Sequence, residues 1–524
     1  MAEKFIYLFK QGAAEGSSSM SNLLGGKGAN LAEMSNLNIP VPPGFTISTE
    51  VCTYFMKHNK YPAGLKSQVN NAMKHIELQM GKNFGARKDP LLVSVRSGGK
   101  ISMPGMMETV LNVGLNDCTI KGLLAKTKND KFTFDSYRRL IMMYADVVMD
   151  KSNGLDSNIR TELEHIMTSL KKDKAVISDY NLSGDDFKAL CLIFKKHIKE
   201  KLNLNFPEDP YEQLWGSIDA VFKSWNGTRA REYRKIEGIS ETMGTGVNIQ
   251  AMVFGNMGSN SATGVAFTKN PSTGENIFFG EWLPNAQGED VVAGIRTPYP
   301  IDNSNKKKNL KNIMPDIYKE LDEIQKILEN HYLDMQDLEF TIQENKLWIL
   351  QTRNGKRNGP AAIKIALNFL ANKKISEKIF LNRIKYNHIT ELLYPTLSEQ
   401  DKKIIPIAQG LPAGPGSAYG QIVFDSEKAK ILYEQGHKVI LVREETSPED
   451  VHGMFASSGI LTARGGMTSH AALVARGWGK CCIVGCRELE INYQSKTCSI
   501  NNIIYKELDW LTLNGTTGNI YNKN

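Results

Sequence analysis

GGMTSHAALVARGWG, Gly465 to Gly479, sets an ionisable ring at the mouth of an apolar segment. His470 is one of only nine histidines in 524 residues. It follows two hydroxyl residues, Thr468 and Ser469, and opens the run Ala471 to Ala475. Either hydroxyl can cap a helix here, and Gly477 can end it. A nucleophilic histidine needs a ring nitrogen that is neutral near neutral pH, and the ordinary imidazole supplies that. It also needs an exposed edge, N–H donors for an incoming anion, and close approach of the backbone. A helix N-terminus gives the donors and Gly465 and Gly466 give the approach. The plain alternative is a structural histidine near a helix start.

Around this segment the chain reads as ordinary globular protein. It is 41% hydrophobic and 23% charged, and its length suits about three to four domains. The net charge of +8 comes from 64 basic and 56 acidic residues mixed along the chain. No clustered basic face argues for nucleic acid. The seven cysteines form no C-x-x-C pair, and Cys482 and Cys486 flank an apolar "IVG", which predicts core thiols in a reducing compartment. The first residues, MAEKFIYLFKQGAAEG, lack a secretory pattern. No run approaches the ~18 apolar residues of a membrane helix. A soluble, cytoplasmic protein is expected.

Hydrophobic periodicity divides the chain. Up to about residue 115, short strands such as FIYLF and LLVSVR alternate with glycine-rich turns and the helix GANLAEMSNL. From about 116 to 226 the spacing is helical, with Asp209 and Pro210 opening one helix. Strands return in VNIQAMVF and TGVAFTKNPSTGENIFFGEW. A helix, IYKELDEIQKILENHY, then precedes a strand pair, DLEFTIQENKLWILQTR. NGKRNGP reads as a boundary, residues 360 to about 403 as a helical connector, and GLPAGPGSAYGQIVF as the start of a second α/β unit.

Three further stretches carry chemistry. In NLLGGKGANLAEM a glycine-rich turn and Lys27 precede a helix, an anion-binding order that matches neither a Walker A loop nor G-x-G-x-x-G. A glycine turn with a surface lysine is the competing reading. In LLVSVRSGGKISMPGM, Arg96 ends a buried-looking strand and can clamp phosphate or pair with a carboxylate. In the strand pair, Asp337 and Glu339 leave one face and Leu338, Phe340 and Ile342 the other. A three-residue loop, Glu344 to Lys346, would set Glu339 opposite Gln351 and Asp337 opposite Arg353; a two-residue loop would put those pairs on opposite faces. A metal-and-phosphate surface therefore needs the odd loop, and an amphipathic hairpin is the alternative.

Taken together, GGKGANLAEM, PVPPGFTISTEVC, SMPGMMETVLNVGLND, NAQGEDVVAGIRTP, EFTI with LQTRNGKR, and GGMTSHAALVARGWGKCCIVGC resemble the pyruvate, phosphate dikinase family, in its order and over essentially the whole chain. The resemblance implies an α/β and α+β multidomain fold: an ATP-grasp nucleotide domain over 1–357 with a helical insertion at about 116–226, a helical hinge over 358–405, and a swivelling β/β/α phosphohistidine domain over 406–520. It implies that His470 takes a pyrophosphoryl group from ATP, with Mg²⁺ as cofactor and AMP as product. It further implies ATP contacts at Lys27, Arg96, Gln250, Met252, Gln351 and Arg353, metal carboxylates at Asp337, Glu339 and, less directly, Glu281, and a candidate regulatory position at Thr468. The partners so implied are ATP, orthophosphate and pyrophosphate. Pyruvate and phosphoenolpyruvate would bind a (β/α) barrel that this reading expects outside the chain. A monomer is expected for this chain, and a homodimer for a full-length member. The alternatives are a phosphoenolpyruvate synthase-type dikinase and a non-catalytic nucleotide-binding fragment.

Overall fold

The computed structural model describes residues 3–101, 103, 106–155, 157–176, 179–292, 298–302, 308–393 and 404–522. Parts of SMPGMMETV and NAQGEDVVAGIRTP, and residues 394–403 of the expected hinge, lie outside the described residues. The chain forms two compact units, Met1–Met257 and Gly258–Asn524. Its mixed α/β character is as the sequence led us to expect.

The first unit is built on an antiparallel sheet of β1 (Ile6–Lys10), β2 (Ala13–Ala14), β3 (Gly44–Ile47), β4 (Val93–Gly99), β5 (Thr109–Val113) and β6 (Thr245–Ala251), in the order β2-β1-β3-β6-β4-β5. Alternation fills one face with Phe45, Ile47, Val93, Val95, Val247 and Ile249, all buried. The other face carries Thr46, Asn248 and Arg96 in one cross-strand row and Gly44, Gln250 and Ser94 in the next. The helix Ser21–Asn36 lies on that polar face, because a Cβ on its Gly28 would stand 2.7 Å from Thr46 and 2.9 Å from Asn248. The helical segment expected over 116–226 is present. Asp209 caps the helix Pro210–Ser224 by accepting from the Tyr211 and Glu212 N–H groups.

The second unit holds an antiparallel sheet of β7 (Ala262–Phe267), β8 (Phe279–Pro284), β9 (Tyr299–Pro300), β10 (Gln336–Gln343) and β11 (Lys346–Asn354), in the order β11-β10-β7-β8-β9. It also holds an eight-stranded sheet whose centre is parallel: Ser417–Val423, Val439–Arg443, Gly459–Thr462 and Cys481–Val484. VILVR, GILT and CCIV are nearly continuous apolar runs because both faces of a parallel sheet are covered. Cys482 and Cys486 are core thiols, as expected. The connector is helical at Gly359–Ala371, Glu377–Arg383 and Tyr386–Thr390. Among the described residues no helix is long and apolar enough to cross a membrane.

The β10–β11 turn takes the shorter of the two lengths considered, but without the consequence expected of it. It has two residues, Glu344 and Asn345, both with positive φ (50° and 62°), and Gln343 pairs with Lys346. The register nevertheless slips by one between Glu339 and Phe340: Phe340 faces Ile349, yet Glu339 faces Gln351. Leu350 is the extra residue of a β-bulge. The bulge does what an odd loop would have done, and Asp337 pairs with Arg353.

Candidate active site

The polar surface of the second unit follows from that register. Gln351, Glu339, Val265 and Glu281 form one row across β11, β10, β7 and β8. Arg353, Asp337, Phe267 and Phe279 form the row beside it. Asp337 is 2% exposed, and the Arg353 Nε donates to its Oδ2 at 2.7 Å. Burial pushes the Asp337 carboxyl up, against the pull of Arg353 and with a further push from Glu339. Its Oδ1 is buried and has no hydrogen-bond partner among the described residues.

The loop before His470 is seated on this sheet. The Met467 N–H donates to Glu281 Oε1 at 3.2 Å and the Thr468 hydroxyl to Oε2 at 3.0 Å. Gly466 permits the approach, since a Cβ there would stand 2.5 Å from Glu281 Oε2. Leu473 joins the core made by Val265, Phe267 and Leu283. Arg476, 1% exposed, returns from the last turn of the helix to donate to the Met467 carbonyl at 2.8 Å. Its guanidinium lies 5.9 Å from the Phe267 ring centroid. Burial lowers the Arg476 pKa to about 10, while Asp337, Cys482 and Glu281 pull it back up.

His470 opens the helix His470–Gly477, and Ser469 is the cap, its hydroxyl accepting from the Ala472 N–H. His470 is 8% exposed and its Nε2 is buried, so the exposed edge expected of a nucleophile is not presented in this conformation. Its Nδ1 lies 3.1 Å from the Thr446 hydroxyl. A small cleft beside the ring is lined by Glu445, Thr446, Thr462, Arg464 and Gly465. The geometry thus brings His470, Thr468, Glu281, Asp337, Glu339, Gln351 and Arg353 into one unit.

In the first unit Gly25 (φ 68°, ψ 166°) interrupts the helix Ser21–Asn36, so Lys27 stands in the first turn after the break. The glycine-rich stretch rests on the end of β4: a Cβ on Gly98 would stand 3.3 Å from the Lys27 Cβ. Arg96 lies on the same face, its carbonyl facing the Asn248 amide at 3.5 Å. Gln250 gives its side-chain N–H to the Pro42 carbonyl at 3.0 Å. Met252 follows β6, its backbone N–H bonded to the Leu92 carbonyl. Gly25 admits no side chain. A Cβ would fall 1.6 Å from the Gly98 carbonyl oxygen, at a φ that disfavours L residues. Gly25→Ala is expected to destabilise the unit by at least about 2 kcal/mol, read by denaturation. Parental stability would show that the turn relaxes.

Three residues that matter to this arrangement were not singled out in the sequence. Thr446 and Asn248 carry no local signal. Arg476 does, as a lone cation inside the apolar run LVAR. The role of Glu281 as an acceptor for the loop was equally hidden.

Glu281 makes a pH-dependent prediction. Burial raises its pKa from the ordinary 4.5, although the bonds from Met467 and Thr468 lower it. A carboxyl raised in the folded state stabilises it fully below the unfolded pKa, and that contribution is lost as pH rises through the folded value. Glutamine can keep both contacts without the charge. Glu281→Gln should therefore match the parent's denaturation midpoint near pH 4.5 and exceed it increasingly towards neutral pH. Glu281→Ala should lose stability throughout, because two donors are left buried at about 1–3 kcal/mol each. A pH-independent gap for Glu281→Gln would contradict the buried-charge account.

Comparison with known proteins decides the family. A family model described as "Pyruvate phosphate dikinase, AMP/ATP-binding domain" matches residues 21–78, 61–314 and 299–373. The chain belongs to the pyruvate, phosphate dikinase family. A second model, "PEP-utilising enzyme, mobile domain", matches residues 435–518. The chain is 49% identical over 521 residues to the pyruvate, phosphate dikinase of Clostridium symbiosum, covering 99% of this chain and 58% of that protein. It is 48% identical to the chloroplastic enzyme of Flaveria trinervia (99% and 53%) and to pyruvate, phosphate dikinase 2 of Zea mays (98% and 57%). The chain thus spans little more than half the length of these relatives.

Proposed function

We propose that this chain carries the nucleotide half of the reaction ATP + phosphate + pyruvate ⇌ AMP + diphosphate + phosphoenolpyruvate, by phosphorylation of His470. The observation that carries the reading is the seating of the His470 loop, through Glu281, on the sheet face that presents Asp337, Glu339, Gln351 and Arg353. In this reading residues 1–357 form an ATP-grasp nucleotide domain with its helical insertion at about 116–226, residues 358–405 a hinge, and residues 406–520 a swivelling phosphohistidine domain. The match of 435–518 to a family described as a mobile domain supports the last. The pyruvate-dependent half is proposed for the whole protein. The 48–49% identity to pyruvate, phosphate dikinases gives no support to a synthase-type reading.

Phosphoryl transfer needs charge neutralisation and in-line positioning more than covalent chemistry by the protein. Lys27, Arg96, Gln351 and Arg353 are proposed to bind the nucleotide phosphates, and Gln250 and Met252 to border its base. Asp337 and Glu339 suit Mg²⁺: they are two carboxylates on one face, and Asp337 Oδ1 is buried without a hydrogen-bond partner among the described residues. Mg²⁺ bound to substrate phosphates commonly takes only one or two protein carboxylates, which this pair supplies. When bound there, Mg²⁺ would neutralise phosphate charge. Glu281 could join such a site only after releasing Met467 and Thr468.

Thr468, 1% exposed and bonded to Glu281, is proposed as a point where added charge would unseat the loop. Thr468→Asp should cut labelling of His470 at least about 100-fold, as like charges meet in a buried site. Undiminished labelling would refute this. The proposal as a whole is tested by incubating the chain with radiolabelled ATP, Mg²⁺ and phosphate. Acid-labile, base-stable label on the protein is expected. ATP binding without label would favour a non-catalytic nucleotide-binding chain.

A further inference from the structure

We propose that Thr446 is a positioning residue that holds the Nδ1–H tautomer of His470 and thereby directs phosphorylation to Nε2; this rests on His470 being the phosphoryl acceptor. A neutral imidazole has one N–H and one lone pair. When Nδ1–H donates to the Thr446 oxygen, 3.1 Å away, the lone pair falls on Nε2.

Both ends of this contact are fixed. Thr446 follows the strand Val439–Arg443 in a segment braced on each side. The Arg464 N–H donates to the Glu444 carbonyl at 2.8 Å, and the Glu444 N–H to the Tyr493 hydroxyl at 2.9 Å. Beyond Thr446, the Ser447 N–H donates to Asp450 Oδ2 at 2.9 Å. Asp450 is itself 4% exposed and accepts from the Ser426 hydroxyl at 2.6 Å. His470 is fixed as the first residue of a capped helix. A hydroxyl can accept from Nδ1–H or donate to a bare Nδ1, and the role assigned to Thr446 is the acceptor's, which leaves the lone pair on Nε2.

The transfer then balances. The Nε2 lone pair forms an N–P bond to the β-phosphorus of ATP. The bridging P–O bond to the α-phosphate breaks, and AMP leaves with the electron pair. Nδ1 keeps its proton throughout and continues to donate to Thr446, which steadies the positive charge the ring acquires. With the opposite tautomer Nε2 has no lone pair to offer.

The test uses the full chain, Thr446→Val and Thr446→Ser, with nitrogen NMR of labelled histidine and identification of the phosphohistidine isomer. The parent should show Nδ1–H on His470 and carry label on Nε2. Thr446→Val should shift the tautomer towards Nε2–H and slow labelling about tenfold, the worth of one hydrogen bond, while Thr446→Ser restores both. Nε2–H in the parent, or an unchanged tautomer and rate in Thr446→Val, would overturn the proposal. The parent's tautomer decides the matter even if the valine variant folds poorly. A parent that takes no label would count against the phosphoryl-acceptor reading, and the tautomer measurement would still judge Thr446.

Discussion

His470→Asn is expected to abolish label incorporation from ATP while leaving the fold and nucleotide binding intact. Asparagine can keep a polar atom near the Nδ1 position, and so the contact with Thr446, but it offers no nucleophile. The helix should survive, because its cap is Ser469 rather than His470. The seat of the loop should survive too, since Met467, Thr468 and Arg476 hold it. Loss of label together with an unchanged denaturation midpoint and nucleotide affinity is the outcome to look for. Label retained in His470→Asn would move the nucleophile elsewhere.

Asp337→Asn should lower the rate of His470 labelling by about 100- to 1,000-fold, the range seen when one group is removed from a preorganised electrostatic site. The substitution keeps the shape but removes the charge that pairs with Arg353 and that is proposed to lie beside the nucleotide phosphates. Arg353→Met should behave differently. It leaves a carboxylate that is 2% exposed without its cation, and breaking a buried pair in this way costs about 3–5 kcal/mol. Rates for the first variant and denaturation midpoints for both separate a functional carboxylate from a structural one. If Asp337→Asn labels at the parental rate, the carboxylate has no part in transfer.

Much of this arrangement could be read in the sequence, and the remainder could not for identifiable reasons. Asp337 and Glu339 share a face because strand side chains alternate, which needs only local spacing. Ser469 as cap and the end of the helix at Gly477 are likewise local. The hairpin was harder. Its face-to-face pairing was legible only as conditional on the loop, and the device that sets it is the bulge at Leu350, an ordinary strand residue that leaves no mark in composition. The contact of Thr446 with His470 and that of Glu281 with the loop were out of reach because they span 24 and 187 residues of sequence. Gln250 was read as facing the nucleotide, but a sequence does not reveal that its amide is given to the Pro42 carbonyl. Local rules place donors and carboxylates on elements; which of them meet is decided by packing between elements.

The most direct measurement incubates the chain with Mg²⁺, orthophosphate and ATP labelled at either the β or the γ position. If His470 takes a pyrophosphoryl group and then passes its outer phosphoryl to orthophosphate, label should remain on the protein from the β position and not from the γ position. Label retained from γ alone would contradict the account, because it would mean simple transfer of the terminal phosphoryl.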